Sequence, residues 1–319
     1  MTEPETSAFN GVLRPPPTRR GAHDLLMDLN DVSHHTFRPR RTLRVGVEFV
    51  RQMRRRRTQI AALVLLVLPL IIALAFQVSP PTGSAGARLG GASGASGAGL
   101  VSLATLGATN FAFFTEFVSA GFLLVVIVAL FCGDTVASEA SWSSLRYLLA
   151  IPVPRSRLLR QKLIVALSLS VGANILLPAW SFLVGGVFFG WAPGQSPLGG
   201  TFTLAQALER LATVIGYASV QSLLVAALAF LLSVLTDAPL GAVGGATLLV
   251  VVSNIFDSIT ALDPYRQFLP THFQYSWLDA LGPSISWNAM MQGTGLALVY
   301  SAVFFALAWW WFQRKDILS

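Results

Sequence analysis

Charge is scarce in this sequence of 319 residues, and that scarcity excludes a water-soluble fold. Only 12% of the residues are Asp, Glu, Lys or Arg, whereas 54% are hydrophobic. Soluble globular proteins carry about 25% charged residues. No charge occurs in the 46 positions between Lys162 and Glu209, and the mean hydropathy is +0.63. The composition therefore predicts an integral membrane protein.

Cysteine and the common catalytic motifs are also nearly absent. Cys132 is the only cysteine, which excludes an intrachain disulfide and a cysteine-based metal cluster. The sequence contains neither a G-x-x-x-x-G-K-[ST] phosphate-binding loop nor an H-E-x-x-H zinc motif. We therefore expect this chain to have no catalytic site and to bind no cofactor or metal of its own.

Long apolar runs are what the sequence does contain. A bilayer core about 30 Å thick needs roughly 20 apolar residues in a helix. Six stretches meet this requirement: Gln59–Val78, Phe117–Ala137, Leu163–Gly190, Leu211–Leu235, Pro239–Phe256 and Met291–Phe312. Between the fourth and fifth runs, Asp237 and Pro239 indicate a tight turn, with the proline in the first turn of the next helix. The alternative, one long continuous helix, would far exceed a bilayer.

The basic residues predict the orientation of these spans. Twelve of the 22 precede residue 58, so the net charge of +7 reflects membrane orientation and not a nucleic-acid surface. With a cytoplasmic amino terminus, 19 basic residues lie inside and three (Arg88, Arg210 and Arg266) lie outside. We expect a multi-pass protein of the plasma membrane with both termini in the cytoplasm.

The sequence before the first span divides into two parts. Residues 1–38, with Pro15–Pro16–Pro17 and mixed charges, predict a disordered cytosolic tail. Residues 39–57 predict an amphipathic helix on the membrane surface, and residues 58–319 form the transmembrane domain. At 100° per residue the helix separates an apolar and a basic side, represented by Phe49 and Met53 and by Arg44, Arg51 and Arg55. A plain cluster of stop-transfer charges is the alternative.

Two segments are expected outside. Ser79–Asn110 is rich in Gly, Ala and Ser, which predicts a flexible loop. Asp257–Met290 combines aromatic residues with prolines, which favours short helices near the outer leaflet over an aromatic surface loop.

Few polar residues lie in or near the spans. Asn174 and Gln221 are expected to join helices. Glu116 and Asp134 bracket the second span, where interfacial anchoring is favoured over an ion pathway.

The cytoplasmic loop Gly133–Lys162 is the most informative stretch. Ser141–Ala150 predicts a short helix whose apolar face includes Trp142, Leu145 and Leu149, ended by Pro152 and Pro154. Such a helix suits docking into a groove of another protein.

The residues of this loop also follow a recognisable order. A glycine ends the span, and a glutamate, leucine pairs, a Pro-Val-x-Arg stretch and a lysine follow. The residues are Gly133, Glu139, Leu145–Arg146, Leu148–Leu149, Pro152–Val153–Pro154–Arg155, Leu158–Leu159 and Lys162. In this order, and in Trp309–Leu318 at the end, the sequence resembles the permease subunits of ABC-2-type ATP-binding cassette transporters. It departs from them at Ser143–Ser144, where a Gly-Thr pair is common.

The resemblance implies an all-α polytopic membrane protein with an interfacial amphipathic helix, a cytoplasmic coupling helix, short external helices before the last span and six spans. It further implies an exporter subunit that dimerises, as a homodimer or heterodimer, and couples to cytosolic ABC ATPase subunits, which hold ATP and Mg²⁺. The docking residues are then Glu139, Trp142, Leu145, Arg146 and Leu149. An apolar pathway with few charges favours a lipid, an amphipathic drug or a lipopeptide over small ions as substrate, and polymer export by members of that family keeps a glycan open. The alternatives are a membrane anchor or sensor that holds a cytosolic partner, and an ion-coupled secondary transporter.

Overall fold

The structure is a computed structural model that describes residues 45–79, 94–141, 155–197 and 199–314. Within these ranges the chain forms nine α-helices: α1 Val45–Met53, α2 Arg56–Val78, α3 Gly94–Leu103, α4 Ala108–Ala120, α5 Leu123–Ser141, α6 Arg155–Phe189, α7 Leu204–Leu235, α8 Pro239–Asp257 and α9 Asn288–Arg314. A two-residue antiparallel hairpin, β1 Gly194–Gln195 and β2 Thr201–Phe202, connects α6 to α7. Three short 3₁₀ helices (Thr260–Leu262, Tyr265–Phe268 and Ser276–Leu281) connect α8 to α9.

The helices follow the apolar runs because a helix satisfies every backbone polar group within its own segment, as a hydrocarbon environment requires. Five of them (α2, α6, α7, α8 and α9) are each long and apolar enough to cross a bilayer. The pair α4 and α5 passes the same test only when taken together, with a bend of 59° between them. The protein is therefore an all-α, multi-pass membrane protein, and its described ranges contain five candidate spans, or six if the bent pair is one span.

The bent pair corrects two expectations. The second span was expected as one helix over Phe117–Ala137, but α4 begins at Ala108 and the helix is interrupted at Gly121–Phe122. The flexible loop expected up to Asn110 is wrong for its described part, because α3 lies within it and Leu100 and Val101 are fully buried. These two apolar side chains pack among aromatic residues of α4, although the surrounding Gly, Ala and Ser residues gave no sign of burial.

The turn between α7 and α8 agrees with the sequence. Pro239 occupies the first turn of α8, where its missing N–H costs no hydrogen bond. At its other end, α7 begins with a capping box between Thr203 and Gln206.

The core lies between α5, α7, α8 and α9, and small residues allow these helices to approach closely. Ala129, Ala229 and Ala308 are all fully buried. At Gly133 a Cβ atom would lie 3.1 Å from Val243 Cγ2 and 3.3 Å from its backbone nitrogen. Helices α5 and α8 therefore touch at a position where only glycine fits without displacement.

The 3₁₀ segment covers the end of the bundle away from α1. Trp277 is 1% exposed, and the buried guanidinium of Arg210 donates to the carbonyls of Ala280 (2.6 Å) and Gly282 (2.5 Å). This part of the aromatic segment is consequently core, although Tyr265 is exposed. Glu116 also lies in this half and is fully buried, so the expectation that it anchors the chain at an interface is wrong.

Candidate functional site

The polar side of α1 packs against the ends of α5 and α6 through a set of charged residues, which we call the charged cluster. Its members are Glu48, Arg51, Arg55, Arg57, Asp134, Glu139 and Lys162. The apolar side of α1 faces outward, with Val47, Val50 and Met53 exposed and Phe49 half-buried. A helix that is charged toward the protein and apolar toward its surroundings suits the membrane interface.

Glu139 is the centre of one half of the charged cluster. Its Oε1 forms an ion pair with Lys162 Nζ at 2.5 Å and accepts a hydrogen bond from Arg51 Nη2 at 3.0 Å. The Glu139 and Lys162 side chains are only 6% and 4% exposed. This half joins the last turns of α5, the early turns of α6 and the middle of α1.

Glu48 extends the same half along α1. Arg51 Nη2 lies 2.7 Å from Glu48 Oε2, and Gln52 Nε2 donates to Glu48 Oε1 at 3.0 Å. Partial burial alone raises the pKa of Glu48, but the hydrogen bond from Arg51 and the positive charges of Lys162 and Arg51 outweigh it and lower the pKa below its ordinary value. The carboxylate therefore stays ionised at neutral pH and holds Arg51 in place.

Asp134 is the centre of the other half. Arg55 Nη1 lies 3.1 Å from Asp134 Oδ2, and Arg57 also pairs with this carboxylate. The same Arg55 nitrogen is 3.5 Å from Ser138 Oγ, one turn further along α5. Asp134 was expected to anchor the helix at the membrane surface; instead it is 4% exposed and pairs with the residue before α2 and with the first turn of α2. Its negative charge is thus paired with arginines of this protein.

The charged cluster lies at both ends of residues 142–154. Glu139 precedes this segment by three positions in α5, and Lys162 follows it by eight positions in α6. Because these two side chains are paired and Arg51 contacts Glu139, the charged cluster holds α5, α6 and α1 together. The cluster is therefore a joint between the two helices that flank the segment and α1.

The sequence-predicted residues fall into three groups. Arg51, Arg55 and Glu139 belong to the charged cluster. Phe49 and Met53 lie on the outward apolar side of α1. The rest of the docking set and of the surface helix lie outside the described residues: Arg44, Trp142, Leu145, Arg146 and Leu149. The docking role of Glu139 stays a prediction, although its carboxylate faces Lys162 and Arg51.

Sequence reasoning missed the roles of Asp134, Arg57 and Lys162. A partial signal was present: Arg51 and Arg55 are four apart, which places them on one face of the predicted surface helix and marks that face as basic. Asp134 and Glu139 are five apart, which is not the spacing of one helix face, so the sequence did not indicate that both carboxylates meet these arginines.

Residues 99–318, more than half of the chain, match a family described as "Protein of unknown function (DUF2705)". The chain belongs to this family. It is also similar to the "Uncharacterized protein YhcI" of Bacillus subtilis (strain 168), with 24% identity over 222 residues, 67% of this chain and 71% of that protein. The family match contains Asp134, Glu139 and Lys162, whereas α1 and α2 precede it.

Proposed function

We propose that this chain is the transmembrane permease subunit of an ABC exporter. It pairs with a second permease subunit and with cytosolic ATPase subunits, and it moves a hydrophobic or amphipathic substrate out of the cytoplasm. The observation that carries the proposal is the charged cluster, because it joins both ends of residues 142–154 to three helices. A coupling element needs such a joint, because displacement of the loop moves the spans together only if the helices that flank the loop are held to one another.

The proposal includes a topology. The bent pair α4–α5 counts as one span, so α2, α4–α5, α6, α7, α8 and α9 are six spans with cytoplasmic termini in the plasma membrane. The 19-to-3 distribution of basic residues supports this orientation. Helix α1 lies at the cytoplasmic interface, and the 3₁₀ segment lies outside.

The mechanism follows from the position of the joint. Closure of the ATPases on ATP pushes residues 142–150, which dock through Trp142 and Leu145. Glu139 passes the displacement to Lys162 and Arg51, so α5, α6 and α1 move as one unit. Glu139 is thus a positioning residue in this proposal, and ATP and Mg²⁺ are held by the partner chain. The resemblance to ABC-2-type permeases supports the same assignment of roles, with transport by this chain and ATP hydrolysis by the partner chain.

A pull-down of the ATPase tests the docking step. A tryptophan in a docked groove commonly contributes about 2 kcal/mol or more, roughly thirtyfold in affinity. We expect Trp142→Ala to keep its fold but to retain the ATPase at least tenfold more weakly than wild type. The matched control is Trp311→Ala, because Trp311 is an exposed tryptophan near the end of α9. Equal retention of the ATPase by wild type and by Trp142→Ala, with full export, contradicts the proposal.

A further inference from the structure

A second polar site lies in the half of the molecule away from α1, in a cavity that the proposed coupling does not use. The cavity lies between α4, α5, α6, α7, α8 and the 3₁₀ segment; it is partly open and has a volume of about 50 Å³. One water molecule needs only roughly 10–15 Å³ by the same measure. Its polar lining residues include Glu116, Asn174, Gln221, Gln274 and Trp277.

Glu116 is the unusual member of this lining. Its side chain is fully buried, and neither carboxylate oxygen has a hydrogen-bond partner in the described part of the chain. In the ranges that the structure describes, no Lys, Arg or His lines the cavity. A buried, unpaired carboxylate is strongly unfavourable, so it must be neutralised by a proton or balanced by a cation.

Two amide side chains line the same cavity as Glu116, and amide oxygen atoms are common cation ligands. Gln274 donates its amide nitrogen to the Ala120 carbonyl at 2.5 Å, which fixes the side chain and leaves Oε1 buried without a donor. Asn174 likewise donates Nδ2 to Ser170 O (2.9 Å) and Ser222 Oγ (3.2 Å), which commits its N–H groups to other partners. The cavity thus combines one carboxylate with amide oxygens whose N–H groups point elsewhere.

The charge and the walls decide which cation fits. Among the described residues no three His, Cys, Asp or Glu side chains converge, so the ligand set that a divalent ion prefers is not offered. The remaining walls are mostly apolar, including Leu124 and Val128, with the Trp277 ring beside them. One carboxylate balances a single positive charge, the amide oxygens suit an alkali-metal ion, and the apolar and aromatic walls suit the ammonium group of an organic molecule.

We propose that the cavity around Glu116 binds a small monovalent cation, either a free alkali-metal ion or the primary ammonium group of a transported molecule. The site does not depend on an ATPase partner. It lies where α4 bends into α5, since Glu116 and Ala120 are on one side of the bend and Leu124 is on the other.

Thermal unfolding of the purified chain in detergent tests this proposal. Ionic strength is kept constant with N-methyl-D-glucamine, which is too large for the cavity, and is replaced stepwise by Na⁺, K⁺ or n-butylammonium. A ligand that binds only the folded state raises the Tm with increasing concentration. We expect the Tm to rise and then level off in at least one series. A rise with Na⁺ or K⁺ identifies the ligand as a free alkali-metal ion, whereas a rise with butylammonium alone identifies it as the ammonium group of a larger molecule.

Two variants assign the response to the cavity. Glu116→Gln removes the charge at nearly constant shape, so the Tm should no longer depend on the cation. Glu209→Gln, at an exposed carboxylate near the same end of the bundle, should respond like wild type. Glu116→Asp keeps the charge and should respond with weaker apparent affinity, which keeps the test valid if the Gln variant does not fold. A wild-type Tm that is the same in all series, or an unchanged response in Glu116→Gln, overturns the proposal and leaves a protonated Glu116.

Discussion

The ion pair between Glu139 and Lys162 should respond asymmetrically to the loss of its two partners. In the described part of the chain, Glu139 is the one carboxylate in ion-pair contact with Lys162, whereas Glu139 also contacts Arg51. Glu139→Gln therefore removes the ion-pair partner of a buried cation and leaves only the more distant charge of Glu48, and breaking a buried pair commonly costs about 3–5 kcal/mol. Lys162→Met leaves Glu139 with Arg51, and we expect a smaller loss of about 1–3 kcal/mol.

The double variant is the decisive measurement. Glu139→Gln combined with Lys162→Met removes both charges, so it should be more stable than Glu139→Gln alone by about 1–3 kcal/mol. Reversible unfolding in mixed detergent micelles, followed by tryptophan fluorescence, gives the free energies of all four proteins. The control is Asp263→Asn at the more exposed Asp263–Arg266 pair, which should change stability by less than about 1 kcal/mol. Additive losses in the double variant would show that the pair is not a unit and would refute the reasoning.

Three further predictions follow from helix contact, charge and topology. Gly133→Leu should destabilise the protein by about 1–3 kcal/mol in the same unfolding assay, because it forces α5 away from α8, whereas Gly172→Leu, which meets open space, should be near neutral. The pKa of Glu48 in the folded state is lowered, so the contribution of this carboxylate to stability is complete above about pH 4.5 and is lost as the pH falls through the folded-state pKa. When the free energy of unfolding is measured over this pH range, that of Glu48→Gln should depend less on pH than that of wild type. Reporter fusions at Gly91 and Ser319 should lie on opposite sides of the membrane, and finding both on one side contradicts the topology.

The spans could be predicted from the sequence because each long apolar run is also a helix with its own hydrogen bonds. This holds for α2 and for α6 to α9, and Pro239 correctly separated α7 from α8. The prediction of helices failed where a few apolar residues stand among many Gly, Ala and Ser residues. Leu100 and Val101 are only two side chains in a low-complexity stretch, yet both are fully buried.

The charged cluster could be predicted only in part. The sequence indicated that α1 has a basic side and that Glu139 belongs to an important loop, but not that the two meet. Arg51 and Glu139 are 88 positions apart, and Arg55 and Asp134 are 79 apart. Pairing over such distances depends on how the helices pack, which local patterns do not encode. The burial of Glu116 was missed for the same reason, since its surroundings come from five separate segments of the chain.

Purification of this chain from its own membranes, followed by identification of the proteins bound in stoichiometric amounts, tests the proposed function most directly. We expect to find a cytosolic ATPase that has a G-x-x-x-x-G-K-[ST] loop and binds through residues 142–150 of this chain. ATP hydrolysis should belong to that partner alone, so the permease chain purified without it should neither bind nor hydrolyse ATP. A stoichiometric sensor kinase in place of the ATPase, or ATP turnover by the isolated chain, would contradict it.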